Sequence, residues 1–401
     1  MAKRVVLAYS GGLDTSVAVR WMTDNLGVEV IALAVDVGQE GGVSADDIGQ
    51  RALDAGAVDF LVADVREEFA RDFLTPALKA NALYEGRYPL VSALSRPVIV
   101  KHLVQAAHDH GADAVAHGCT GKGNDQVRFE VSTRALAPDL DVLAPVRGWG
   151  MSREECILYA YDHNIAITAT KEKLYSIDDN LWGRAIECGE MEDPWAVPPP
   201  GVWSLTVPSE NEARDLVIGF DAGVPVSVDG EALPLVALIE TVGAAVGSYG
   251  WGRIDMVENR RVGIKSRETY ECPASLALIL AHADLESITL ERDLAREKSR
   301  LEPRYAELIY DGLWFSPLKQ ALDAFVDESQ AAVTGEVRLH LSPGSCQVTG
   351  RRSAHSLYDY ALATYDAEDV FRHEDSAGFV RLWGLSVETW AARQGPGASA
   401  R

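Results

Sequence analysis

The sequence predicts an α/β protein: a parallel sheet with helices on both faces, then an α+β domain, then a short C-terminal segment. Three observations carry this. Over the first ~165 residues, β-branched apolar runs alternate with helix-like stretches at the spacing of βαβ units. Beyond residue ~170 the alternation gives way to hairpin-like pairs and long helical patterns. At 401 residues, roughly 150 per domain allows two or three domains, each able to bury a core. The expected divisions are 1–168, 169–357 and 358–401.

The elements follow in order. Val5–Ala8 is a buried first strand, and an amphipathic stretch runs from Val17 to Leu26. Val28–Val35 is a second strand. Ser44 is the expected N-cap of a helix to Ala55, with Asp47 three residues on. Phe60–Val65 reads as a strand, Glu67–Ala82 and Pro97–His110 as helices, and Ala114–His117 and Val142–Ala144 as short strands. Ser152–Glu155 is a capping box for a helix through His163. Val197–Gly201, with three prolines, is a connector. Val217–Phe220 and Val224–Val228 pair around Asp221–Gly223, and Val337–Leu341 and Cys346–Val348 around Ser342–Gly344. Helical patterns cover Leu235–Ala245 and Leu276–Leu313. The Gly/Ala/Ser-rich tail from Gly395 reads as disordered. No internal repeat is evident.

Bulk properties exclude several function classes. A net charge of −23 argues against a nucleic-acid-binding surface, which needs a basic face. It does not argue against a small anion, which is held by local donors. No signal-peptide pattern follows Met1, and no run approaches ~18 apolar residues, so no membrane span is expected. The five cysteines are scattered and never CxxC, which favours a reducing cytoplasm without a disulfide scaffold or structural zinc.

Two strand ends carry chemistry. Ala8–Tyr9–Ser10–Gly11–Gly12–Leu13–Asp14–Thr15–Ser16 joins the first strand to a helix. Its glycines let backbone approach a ligand, the helix N-terminus favours an anion, and three hydroxyls add donors. The plainer alternative is a tight βα turn in which Asp14 or Thr15 merely caps the helix. The turn is not a Walker loop, since no Gly-Lys-Ser/Thr follows. It resembles the SGGxDS-type loop of ATP pyrophosphatases, with Asp14 in the fifth slot and Thr15 inserted before Ser16. The second segment runs His117–Gly118–Cys119–Thr120–Gly121–Lys122–Gly123–Asn124–Asp125–Gln126–Val127–Arg128. A hydroxyl, an amide, a carboxylate and a bidentate cation suit a zwitterionic amino acid. A solvated loop with polar caps is the alternative.

Together, AYSGGLDTS and HGCTGKGNDQVRFE resemble the argininosuccinate synthase family. Further matching stretches are ALYEGRYPL at 82–90, GRIDMVENR at 252–260, GIKSRETYE at 263–271 and ELIYDG at 307–312. The resemblance spans nearly the full length. It implies a nucleotide-binding domain, a synthetase domain and a C-terminal oligomerisation segment. The implied reaction is ATP-dependent ligation of citrulline and aspartate to argininosuccinate, with AMP and pyrophosphate released through a citrullyl-adenylate, as in arginine biosynthesis. Cofactors would be ATP and Mg2+, and the assembly a homotetramer in the cytoplasm, with Phe379, Leu382, Trp383 and Leu385 wanting a partner. By position, ATP would contact Ala8, Tyr9, Ser10, Gly11, Gly12, Leu13, Asp14, Thr15, Ser16, Val35 and Gly118. Aspartate would meet Thr120, Asn124 and Asp125. Citrulline would meet Tyr88, Ser92, Asn124, Arg128, Ser176, Glu258 and Tyr270. Asp14, Asn124 and Asp125 would act at the reacting centre. Taken alone, Tyr88 and Tyr270 read equally as core residues and Glu258 as a solvated carboxylate. One departure is Ala185, where some family members carry a citrulline-contacting serine. A different adenylating enzyme, such as a tRNA thiolase or lysidine synthetase, would need basic surface or a reactive cysteine pair. A non-catalytic nucleotide sensor would not need the Thr120–Arg128 clamp.

Overall fold

The computed structural model describes residues 3–39, 44–166 and 175–395. Five parallel strands lead the chain: β1 (Arg4–Ala8), β2 (Glu29–Asp36), β3 (Asp59–Asp64), β4 (Ala114–Ala116) and β5 (Asp141–Leu143). Their order is β3-β2-β1-β4-β5. Val5, Val6 and Leu7 of β1 are fully buried, as both faces of a parallel sheet are covered. The strand order reverses between β1 and β4, and ligands of open α/β sheets bind at such a switch point. The two turns that the sequence singles out leave these two strands.

The Leu13–Leu26 helix starts behind Gly12, which makes no side-chain cap bond. Asp14 and Thr15 therefore do not serve as caps. Ser44 accepts from the Asp47 amide ahead of the Ala45–Asp54 helix, and Ser152 and Glu155 form the reciprocal capping box before Arg153–Asp162.

The helix expected from Pro97 begins six residues earlier and spans Val91–Asp109, with Pro97 inside it. Proline lacks the N–H that would reach back one turn, so sequence alone favours a start there. The structure pins an earlier corner. Leu90 takes a left-handed φ of 67°, Asn180 Nδ2 donates to the Val91 carbonyl at 2.9 Å, and Trp182 Nε1 donates to the Pro89 carbonyl at 2.9 Å. The pattern at 67–82 is likewise not one α-helix, because Ala70–Leu74 widens into a π segment before Thr75–Lys79. The helical stretch at 276–313 is two helices, Pro273–Thr289 and Arg292–Tyr310. They are separated at Leu290 and capped anew by Glu291.

The rest of this body is antiparallel. Strands β6 (Ser176–Asn180), β7 (Gly183–Glu187), β8 (Arg214–Asp221), β9 (Val224–Val228), β10 (Glu231–Ala232), β11 (Arg253–Asn259), β12 (Lys265–Glu271), β13 (Gly335–Ser342) and β14 (Ser345–Arg352) form two sheets. Their orders are β10-β9-β8-β13-β14 and β11-β12-β7-β6. The two expected hairpins, β8–β9 and β13–β14, are present. The whole second sheet of the pair, β11-β12-β7-β6, was not legible beforehand.

Residues 1–355 form one compact unit and 356–401 another. In the second, the His373–Gln394 helix has no buried residue, and Phe379, Leu382 and Trp383 are exposed. The tail expected to be disordered from Gly395 lies, beyond Gly395 itself, outside the described residues, as does the expected division at 168/169. Among the described residues no helix is long and apolar enough to cross a membrane.

Lys298 is buried between helices of the first unit, with its Nζ 2.8 Å from Glu302 and 3.0 Å from Glu286. Asn81 donates to both carboxylates, and Gln330 donates to Glu286. Every charge there has a partner, which is the condition for tolerating ions in a core. Lys298→Met should therefore cost about 3–5 kcal/mol by stranding two carboxylates, read as a lowered thermal midpoint. An unchanged midpoint would contradict this account.

Candidate active site

Two adjoining cavities open at the switch point. The first, of about 290 Å³, is walled by the turn after β1, by Leu33 and Val35 of β2, and by Gly118 and Cys119 after β4. Ala8, Tyr9, Ser10, Gly12, Leu13, Asp14 and Thr15 all face it. Gly11 and Ser16 do not line it. Gly11 holds φ +70°, and a Cβ there would meet the Ile48 side chain at 3.4 Å. Ser16 is fully buried, shares a 2.9 Å hydrogen bond with the Tyr9 hydroxyl, and bonds through its amide to Gly12. These two residues shape the turn from behind. Gly118 presses on the same turn, since a Cβ there would lie 2.8 Å from Thr15 Cγ2. Asp14, half out of water, has its carboxyl raised by burial, with Arg153 opposing the shift.

The second cavity, of about 180 Å³, is lined by Tyr88, Ser92, Thr120, Asn124, Asp125, Arg128, Ser176, Glu258 and Tyr270. Every residue expected to contact an amino acid meets there, and so does Ala185. The antiparallel sheet β11-β12-β7-β6 builds one side. Successive strand residues point to opposite faces. Ser176 and Asp178 of β6, Ala185 and Glu187 of β7, and Glu268 and Tyr270 of β12 thus share the cavity face, in register. Ile186, between them, packs on the other face with Met191 and Val202.

The wall between the cavities is ionic. Arg96, Asp125 and Asp178 line both. Arg96 donates to Asp125 Oδ2 from Nε (3.0 Å) and Nη2 (2.8 Å), and to Asp178 Oδ2 from Nη2 (2.6 Å). Arg128 Nη1 donates to Asp125 Oδ1 at 2.8 Å. The result is an alternating row, Arg128–Asp125–Arg96–Asp178. The two guanidiniums hold the Asp125 carboxyl down at about 2 against its desolvation. Its oxygens are thus already engaged where an aspartate ammonium was expected. Arg128 Nε donates to the Tyr310 carbonyl at 3.0 Å, which leaves Nη2 buried without a partner. Asn124 Nδ2 donates to the Tyr310 hydroxyl at 2.7 Å, and its Oδ1 accepts from the Arg261 amide at 2.8 Å.

At the far end three carboxylates converge on one cation. Arg260 Nη2 lies 2.6 Å from Glu187 and 2.8 Å from Glu268, and its Nε is 3.8 Å from Glu258. The Tyr270 hydroxyl donates to Glu268 at 2.6 Å and lies 3.2 Å from Glu258. Burial, reinforced by Glu268, raises the Glu258 carboxyl to about 8. Glu258 is only 2% exposed, not a solvated surface acid. An excess of carboxylate over guanidinium in a closed space favours a cationic ligand group. Tyr88 and Tyr270 stack at 4.3 Å, buried as core residues are, yet they line the cavity. His117 does not reach either cavity. Burial depresses its imidazole to about 4, and its Nδ1 accepts from the Cys119 amide.

Sequence reasoning missed Arg96, Asp178, Glu187, Arg260, Glu268 and Tyr310. The available signals were the four-residue spacing of Ser92 and Arg96 on one helix face and the two-residue spacings Ser176/Asp178, Glu258/Arg260 and Glu268/Tyr270.

A glycine turn at the switch point of a 3-2-1-4-5 sheet, sharing an ionic wall with an amino-acid-sized polar cavity, defines a nucleotide-dependent enzyme with a HUP-type domain. Comparison makes this specific. Residues 4–166 match the Arginosuccinate synthase N-terminal HUP domain and residues 175–390 the Arginosuccinate synthase C-terminal domain. An argininosuccinate synthase of Rubrobacter xylanophilus is 56% identical over 392 residues, covering 97% of this chain and 95% of that protein. The chain belongs to the argininosuccinate synthase family.

Asp125 gives an acid-stability prediction. Its folded value near 2 lies below the unfolded one near 3.8, so its contribution is present above about pH 4 and is lost as pH falls through about 2. Wild type should exceed Asp125→Asn in unfolding free energy by ~2 kcal/mol at neutral pH. The gap should close towards pH 2. A gap independent of pH in equilibrium denaturation would refute this origin.

Proposed function

We propose that the two joined cavities carry the family's reaction: L-citrulline, L-aspartate and ATP give argininosuccinate, AMP and pyrophosphate through a citrullyl-adenylate. The shared wall of Arg96, Asp125 and Asp178 carries the reading, because adenylation needs the α-phosphate of one ligand against the nucleophile of another. The triphosphate occupies the Ser10–Thr15 turn, with Gly118 opposite and Val35 at the base. Arg96 is the one cationic side chain lining that cavity among the described residues. It faces the point where charge develops on the α-phosphate. The ureido oxygen of citrulline attacks phosphorus and pyrophosphate leaves. The amine of aspartate, bound near Thr120, Asn124 and Asp125, then attacks the activated carbon and expels AMP.

Citrulline lies in the second cavity. Arg128 Nη2 and Ser176 meet its carboxylate, Glu258 its ammonium, and stacked Tyr88 and Tyr270 its aliphatic stem, with Ser92 adjacent. Ala185 leaves a small apolar gap where some relatives of this family bear a hydroxyl. Among the described residues no three His, Cys, Asp or Glu side chains cluster as a self-sufficient metal site. Magnesium would arrive with the triphosphate. Asp14, on the turn and free of arginine hydrogen bonds, would hold it, and the ion would offset phosphate charge. The exposed apolar residues of the C-terminal helix support a homotetramer, and scattered cysteines support a cytoplasmic setting. A net charge of −23 opposes nucleic-acid partners.

Pyrophosphate release from ATP should require citrulline, and argininosuccinate should form only when aspartate is also present. Citrulline labelled with heavy oxygen in its ureido group should pass the label to AMP. ADP as product, or unlabelled AMP, would overturn the adenylation route.

The citrulline KM should also depend on pH. In the empty site the Glu258 carboxyl is raised to about 8, whereas an ammonium partner requires the carboxylate. Binding below that value expels a proton, so KM should fall as pH rises from 6.5 to 8 and then level off. The same KM across that interval would rule out Glu258 as the ammonium partner.

A further inference from the structure

Tyr310 ends the Arg292–Tyr310 helix, more than 180 residues from Asn124, and touches the site in three ways. Its hydroxyl accepts from Asn124 Nδ2, its backbone carbonyl accepts from Arg128 Nε, and its ring lies under the Arg128 guanidinium, 5.0 Å from Cζ. The ring also stacks on Tyr84, with centroids 3.6 Å apart and planes 3° from parallel. Tyr84 is anchored by its own hydroxyl, which donates to the Asn259 carbonyl at 2.8 Å. Two residues on, Gly312 takes φ +75°, and a Cβ there would lie 2.8 Å from Arg128 Cα. The chain therefore turns tightly against the Asp125–Leu136 helix.

These contacts decide which valences remain. The Arg261 amide can only donate, so it fixes Oδ1 of Asn124 as acceptor and Nδ2 as donor. One Nδ2 hydrogen goes to Tyr310 and the other is left for a ligand. On Arg128, Nε is taken by Tyr310 and Nη1 by Asp125, and Nη2 is left buried and unpartnered. We infer that Tyr310 is a positioning residue for the amino-acid substrate: it holds Asn124 and Arg128 so that the free Nδ2 hydrogen of one and Nη2 of the other face a carboxylate-bearing ligand. This rests on the proposed amino-acid role of the second cavity and adds a residue to it. The hydroxyl also faces Glu258 and lowers its carboxyl by hydrogen bonding. The other groups facing Glu258 are Glu268 and Tyr270 from β12, Arg260 beyond β11, Arg128, and Tyr84 and Tyr88.

Tyr310→Phe keeps the ring and carbonyl and deletes only the hydroxyl. The citrulline KM should rise about tenfold, the scale of one hydrogen bond left unmade, while the ATP KM stays within about twofold. The acid limb of citrulline kcat/KM should move to higher pH, because Glu258 loses a bond that favours its ionised form. A double-mutant cycle separates positioning from general damage. With Tyr310 acting through Asn124, Tyr310→Phe should add little in an Asn124→Ala background. Additive effects, an unmoved acid limb, or an equal rise in the KM of all three substrates would overturn the inference while leaving the proposed function standing. A wild-type enzyme without citrulline-dependent pyrophosphate release would overturn both.

Discussion

The row Arg128–Asp125–Arg96–Asp178 is the constraint on which the rest of the site depends. An arginine or aspartate withdrawn from water is tolerable only with a partner of opposite sign at hydrogen-bond distance. Here each inner member has two such partners, at 2.6–3.0 Å. Ser95 takes a further donor of Arg96 at 2.9 Å. Arg96 comes from the Val91–Asp109 helix, Asp125 and Arg128 from the helix after β4, and Asp178 from the antiparallel sheet. Three separate pieces of chain must meet for the row to be complete. The wall therefore fixes the distance between the nucleotide turn and the amino-acid cavity. Arg96 reaches the wall from the second turn of its helix, just beyond the Leu90 corner.

The strand-end motifs were legible because their chemistry is local. A glycine turn and a run of mixed polar donors follow buried strands, and each lands where a parallel sheet places ligands. The tyrosines at 88 and 270 show why two readings of one residue need not exclude each other. They are buried and stacked, and they also form a cavity wall. Glu258 illustrates the opposite case, since a lone glutamate is ordinarily solvated. Only the three-dimensional meeting of Glu187, Glu258, Glu268 and Arg260 reveals its enclosure.

What was illegible has a common cause. The strands β6 and β7, five residues each, carry Asp, Asn, Gly, Glu and Ala, types depleted in strands. Their alternation is between an apolar packing face and a polar face that meets an internal cavity, so no clean hydrophobic period appears. Tyr310 was hidden in the long helical pattern at 276–313. Its ring is buried, and its role lies in a hydroxyl and a carbonyl at the last turn. The run at 276–313 concealed a break at Leu290 because both helices keep apolar faces across it.

The compact unit spanning residues 1–355 has a consequence for how the protein comes into being. The nucleotide-binding sheet is complete by Leu143, so that part can begin to assemble while the chain is still being made. The amino-acid cavity cannot. It awaits Asp178 and Ala185, then the β11–β12 hairpin, and finally Tyr310 and the Gly312 turn that seats against Arg128. During synthesis, with N-terminal parts folding first, Arg96 must wait for its second carboxylate, Asp178, and Arg128 for the Tyr310 carbonyl, encoded 182 residues later. The sequence-level halves are thus not portable modules. A nucleotide-binding half transplanted alone would carry its glycine turn intact and a wall without Asp178.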